Sequence, residues 1–271
     1  MISRYLVLSM GLTLSVALNS RAASPGLQIG TTTYDLQKHG SMGRQITTRG
    51  SDHIINFSWT NKDNFAFPIG RNVRHNSWDP IFGGLSEPAG FGIDIGPGLF
   101  PPDWSGFPSM DGVNNTGIVV VAISWSPNSP AEQEKPYVFY NDIPGLADFV
   151  GQKVPDSVWT PFLTGDAVAF LRPKVAYTND GVSTEVTHLL MFSDRSNGDA
   201  EIVYSRKVGA GFVSADAWTS GMLIGLGGMS RSAVLATSRV ASSKDVAIVW
   251  AGGRGDGTAL GASVSRYNGE A

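Results

Sequence analysis

Short apolar runs that end in an aromatic residue recur along the chain, and turn residues follow each one. IINFSWT spans residues 54–60, VVVAISWSP residues 119–127, THLLMFSD residues 187–194 and VAIVWAGG residues 246–253. Measured between the closing aromatics Trp59, Trp125, Phe192 and Trp250, the intervals are 66, 67 and 58 residues. Runs this short, dense in β-branched and aromatic side chains, predict strands. A second strand follows after a polar turn: PYVFYND at 136–142, AEIVYSRKV at 200–208 and ALGASVSRY at 259–267. Between THLLMFSD and AEIVYSRKV, the residues Ser196, Asn197 and Gly198 tolerate the positive φ that a hairpin turn requires. Two units then close on tryptophan, in DSVWTP at 156–161 and DAWTS at 216–220. A further candidate strand precedes the apolar run, as in RPKVAY at 172–177 and SAVLAT at 232–237.

A unit therefore holds about four strands, and about four units are visible. This predicts an all-β fold, a β-propeller of four-stranded antiparallel blades over residues 23–271. A sheet this small has two apolar faces and cannot bury both alone, whereas stacking on two neighbours buries both. A β-sandwich with long loops is the competing arrangement. The last unit lacks its closing strand, and LQIGTTTYD at 27–35 is expected to complete it.

Between residues 61 and 111 the repeat is broken by a stretch rich in glycine, proline and aromatics, which reads as a long insertion. Loops of such length usually carry function. Trp78 and Trp104 offer flat faces on which the C–H side of a sugar ring stacks, and Asp79, Asp94 and Asp103 offer acceptors for its hydroxyls. The alternative is that these aromatics pack the stretch onto the propeller as a satellite core.

Composition narrows the function classes. The chain has 271 residues, 42% hydrophobic and 16% charged, with 33 glycines and 15 prolines, so it is a folded, turn-rich protein. A net charge of −3 supplies no basic surface for a phosphate backbone, which excludes nucleic acid as a partner. The absence of cysteine excludes disulfides, thiolate catalysis and sulfur-bound metals. At the N-terminus, Arg4 is followed by an apolar stretch and then by small residues. Residues 1–22 are read as a signal peptide cleaved after Ala22, placing the protein in the periplasm or outside the cell. No later segment is apolar for long enough to cross a membrane as a helix.

IVYSRK at 202–207 followed by DAWTS, and more loosely VFYNDIPG at 138–145 followed by DSVWT, resemble the sialidase-like, BNR-repeat family of secreted propellers in a degenerate form without intact Asp-boxes. That resemblance implies a glycan ligand and, for a sialidase, three arginines converging on a carboxylate. The candidates are Arg44, Arg172, Arg195, Arg231 and Arg239. Arg44 and Arg172 precede apolar strands, where ligand residues of that family lie.

Other glycosidases use two carboxylates, and Asp52, Asp180, Glu185 and Asp194 are placed at turns. DRSNGDAE at 194–201 gathers oxygen donors suited to Ca²⁺ or to an ordinary hairpin turn; no other metal or cofactor is indicated. The four histidines have no i, i+4 pair, and no glycine pattern forms a phosphate loop. Three functions stay open: an exported propeller that binds carbohydrate or a surface protein, a sialidase-like glycoside hydrolase, and a structural component of the envelope.

Overall fold

The computed structural model describes residues 28–33, 43–48, 53–62, 71–87, 92–95, 104–112, 119–126, 134–141, 149–158, 167–179, 185–195, 200–209, 218–226, 232–240, 243–252 and 259–265. Their strands form four separate antiparallel sheets stacked as propeller-type blades. The first blade holds β1 (Ile46–Thr48), β2 (Ile55–Lys62), β3 (Arg71–Asp79), β4 (Gly84–Leu85) and β5 (Ile93–Ile95), with β4 and β5 both pairing with β3. The second runs β6 (Trp104–Gly112), β7 (Val119–Ser126), β8 (Lys135–Asn141) and β9 (Val150–Lys153). The third runs β10 (Ala167–Asn179), β11 (Glu185–Arg195), β12 (Ala200–Val208) and β13 (Met222–Leu226). The fourth has β14 (Ser232–Thr237), β15 (Val246–Gly252) and β16 (Ala259–Ser265). The expected propeller architecture is present, and the two broad layers of a sandwich are not.

Alternation explains the stacking. On β7, Val119, Val121 and Ile123 pack toward the first blade with Val73, Ile95 and Phe139, while Val120 and Ala122 pack toward the third. On β11, Leu189 and Met191 face the second blade, and Leu190 and Phe192 face the fourth. Period-two side chains with both faces buried give the near-continuous apolar runs seen in the sequence. A fully buried side chain of this kind contributes about 1.5–3 kcal/mol, so each blade is held by its neighbours. Trp218, from DAWTS, pairs with Lys207 at the blade edge and is buried in the core between the second and third blades.

The aromatic-ended run is the second strand of every sheet, in β2, β7, β11 and β15, and the strand before it is the first of its sheet. β6 and β10, first in their sheets, are the strands that meet several neighbouring blades. The stretch from 61 to 111 contains β3, β4, β5 and β6. Residues 28–33 do not join the last unit. Thr33 donates its backbone N–H to the Lys62 carbonyl at 3.0 Å, and Asn76 Nδ2 donates to the Ile29 carbonyl at 3.1 Å, so this segment lies along the first blade. Residues 1–22 lie outside the described residues. Among the described residues no helix is long and apolar enough to cross a membrane.

Candidate functional site

The two strands β6 and β10 carry the same local device. Each contains a proline, Pro108 or Pro173, which has no N–H for the ladder. Register slips there, between Gly106 and Ser109 on β6 and between Leu171 and Lys174 on β10. The residue ahead of each proline lies in the left-handed region, with φ of 54° at Phe107 and 56° at Arg172. For side chains this large that conformation is costly, and such residues cluster at functional sites. Both freed N–H groups are recovered by a hydroxyl of the preceding blade. Phe107 donates to Thr60 Oγ1 at 3.1 Å and Arg172 to Ser124 Oγ at 3.0 Å.

Around these bulges stands a charged cluster. The Arg71 guanidinium lies with its Cζ 4.6 Å from the centre of the Phe107 ring, and that of Arg172 lies 5.3 Å away. Arg71 is buried. Its Nε donates to the Ser105 carbonyl at 2.9 Å, and its Nη2 donates to Glu134 Oε1 at 3.1 Å. Gly106 leaves room for it, since a Cβ there would stand 2.7 Å from Arg71 Nε. Glu134 is 6% exposed and Lys174 is 3% exposed. Burial pushes the Glu134 carboxyl above its ordinary value, against the pull of Arg71 and a hydrogen bond from Ser124. Burial, and then the neighbouring Arg172 charge, bring the Lys174 ammonium down to about 7.

A second cluster sits toward the other end of β6. Asp111, fully buried, accepts from Arg44 Nη1 at 2.6 Å, Arg239 Nη2 at 2.7 Å and the Tyr177 N–H at 3.0 Å. One carboxylate thereby ties together all four blades. Burial raises its pKa to about 6 despite Arg44. Asp111 and Glu134 are held by different arginines, Arg44 and Arg239 on the one and Arg71 on the other. An apolar cleft of about 220 Å³ lies elsewhere on the first blade, lined by Ile29, Ile46, Phe57 and Trp59 among others. None of its lining residues is ionisable, so it offers contact without acid–base chemistry.

Of the residues singled out in the sequence, only Arg172 belongs to the bulge cluster. Arg44 is placed on Asp111. Arg44 and Arg239 do converge on a carboxylate, but it is the protein's own. Asp79 caps a turn, accepting from the Ile81 N–H at 2.7 Å and the Phe82 N–H at 3.3 Å. Trp78 is a half-buried β3 residue whose backbone pairs with Ile55 and Leu85. Trp104 opens β6, its backbone opposite Ser126. Asp94 is taken up by Asn72 and by Arg74, the latter at 3.2 Å. The turn residues of the calcium candidate, 196–199, lie outside the described residues; among those described, no group of three metal-ligating side chains occurs. Phe107, Arg71, Glu134 and Lys174 were not found by sequence reasoning. Phe-Pro and Arg-Pro, 65 residues apart at the head of successive units, are the signal that marks Phe107 beside the already noted Arg172.

No family model matches the chain, and no curated protein matches it. Solved structures do. An exo-β-1,3-galactanase from Clostridium thermocellum is similar at 12% identity and a TM-score of 0.46, over 89% of this chain and 48% of that one. The chain thus spans about half the length of the galactanase. The catalytic domain of a GH62 α-L-arabinofuranosidase from Coprinopsis cinerea is similar at 11% identity and a TM-score of 0.44, over 89% of this chain and 69% of that one. A GH43 β-1,3-galactosidase solved with galactodeoxynojirimycin is similar at 11% identity and a TM-score of 0.43, over 86% and 74%. The sialidase-like resemblance is corrected by this: the similar structures are GH43- and GH62-type glycoside-hydrolase propellers. The closing tryptophan behind that resemblance, Trp218, is a blade-edge packing residue, which a propeller of any family can use.

Proposed function

We propose that this chain is a carbohydrate-active β-propeller enzyme, more than a binding module alone, and that it cleaves glycosidic bonds beside the bulges of β6 and β10. The supporting observation is Glu134: a buried carboxyl with a raised pKa, oriented by Arg71 and flanked by two left-handed residues. Burial favours the protonated form of this carboxyl, which suits it to donate a proton to the departing glycosidic oxygen. The C–O bond then breaks with oxocarbenium character at the sugar carbon. A second carboxylate on the opposite face of the ring is needed to activate water or to attack. Asp111 is engaged by Arg44, Arg239 and the Tyr177 N–H, and Asp103, two residues ahead of Ser105 in sequence, is the first residue to substitute. Export by residues 1–22 belongs to the same reading, since polymeric glycans lie outside the cell.

The test uses the mature chain on neutral polysaccharides and aryl glycosides, following the release of reducing ends and of the aryl group. Glu134→Gln is expected to lower turnover roughly 10²–10⁴-fold while glycan retention on affinity gels stays near wild type, and the melting temperature should fall because Arg71 loses its buried counter-charge. Retention of glycan by the wild-type chain without any cleavage across the panel leaves a binding module and removes the enzyme.

A further inference from the structure

Lys174 is the least explained charge in the described structure. Its Nζ is buried and meets no hydrogen-bond partner. Lysine is almost never fully buried unless paired, and an uncompensated buried charge costs several kcal/mol. The equivalent position on β6 shows what the fold itself needs. Ser109 stands two residues after the left-handed Phe107, as Lys174 stands two residues after Arg172, and Ser109 Oγ accepts the Val175 N–H at 3.0 Å. A short hydroxyl there reaches across to β10 and ties the second blade to the third. The third blade instead carries an ammonium there, below a half-buried guanidinium of like charge. Two adjacent cations on a strained segment, one without a counter-charge, form a site that an incoming anion would stabilise.

We propose that Lys174, with Arg172 above it, receives a carboxylate carried on a sugar ring, so that the glycans taken at this site are uronate-bearing. The inference rests on the carbohydrate reading of the bulge cluster and names its substrate class. A uronate supplies the single negative charge that the lone ammonium lacks, and Arg172, whose charge acts on both Lys174 and Glu134, places the two in one charged cluster. The strands packed against β10 carry few other charges: Glu185, His188, Asp194 and Arg195 on β11, Asp111 on β6 and Lys135 on β8, with none on β14. His188 is held between Thr178 and Tyr204, and burial lowers it to about 3, so it stays neutral across the working range.

Calorimetry with a short oligogalacturonide and with its methyl-esterified, neutral counterpart tests this. At pH 6 the acid form is expected to bind about tenfold tighter than the ester, and at pH 9 the preference should disappear as Lys174 loses its proton. Lys174→Arg should keep the preference at both pH values, and Lys174→Met should remove it at both. Equal affinity for acid and ester by the wild type, a preference that survives in Lys174→Met, or equally tight binding of inorganic sulfate alone would overturn the proposal. Binding and cleavage of neutral glycans without any acid preference would sink the uronate site and leave the proposed activity standing; no glycan bound at all would remove both.

Discussion

Arg172 Cζ stands 5.3 Å from the centre of the Phe107 ring, and both residues hold a left-handed backbone immediately ahead of a proline. The pair joins two neighbouring blades at the same structural irregularity. Arg172→Gly relieves the backbone cost but loses the cation–π contact, whereas Arg172→Ala loses the contact and keeps the cost. The glycine variant should therefore be the more stable of the two by about 1 kcal/mol in urea denaturation. Both variants should lose glycan affinity. Equal stability of the two would mean that the left-handed backbone at this position stores no strain.

Asp111 is the other junction, and here the expected effect is on folding. Substituting Asn leaves Arg44 and Arg239 facing each other without their shared charge. Removing one member of a buried ion-paired group costs about 3–5 kcal/mol. Arg44→Met or Arg239→Met alone should cost less, about 1–2 kcal/mol, because these side chains are 37% and 44% exposed and the other arginine still holds the carboxylate. Chemical denaturation of the singles and of the Arg44→Met/Arg239→Met double should show a double cost larger than the sum. Strict additivity would mean that the two guanidiniums do not share the load on Asp111.

Much of this architecture was legible in the sequence. The β7 and β11 runs are apolar because each of their faces meets a different blade, and the interval between Trp59, Trp125 and Phe192 is the blade repeat. What the sequence hid was which strand meets the neighbouring blades. The aromatic-rich runs draw the eye, but they are second strands, and β6 and β10, which meet the neighbouring blades, are each broken by a proline. Their composition reflects the turn of the chain at the bulges and the charges gathered there. The same cause concealed the site. Glu134 has no motif of its own, and it becomes special only because Arg71, from β3 of another blade, is folded against it. Asp79, by contrast, looked like an acceptor for sugar hydroxyls because it lies in the aromatic-rich stretch, yet its carboxylate is used by the next turn.

Packing around Trp59 gives a local prediction. Its indole lies between two glycines and donates Nε1–H to the Thr31 carbonyl at 3.2 Å. Gly92 has φ of +62°, and a Cβ there would fall 2.6 Å from the Trp59 ring and 2.7 Å from the His75 carbonyl oxygen. Gly92→Ala therefore meets both backbone strain and backbone overlap, and is expected to cost at least about 2 kcal/mol. Trp59 fluorescence should change with it, since the ring must move. A variant with wild-type melting temperature and emission would contradict the close sandwich.

The buried ammonium of Lys174 makes a prediction about pH that needs no ligand. A free lysine titrates near 10.5, and in the folded chain this one titrates near 7. Between those values the unfolded chain binds a proton that the folded chain does not, so stability rises with pH across that window. Below about pH 7 the folded state must hold the charge, and Lys174→Met should be more stable than wild type there by a few kcal/mol. As pH climbs toward 10.5 the gap should close, because both forms then bury a neutral side chain. Denaturation of both proteins at pH 6, 8 and 10 without glycan isolates this group, since the other lysines, including Lys207, which burial lowers to about 8, contribute equally to each. A gap that does not change with pH would show that Lys174 keeps its proton throughout and that a counter-charge is already beside it.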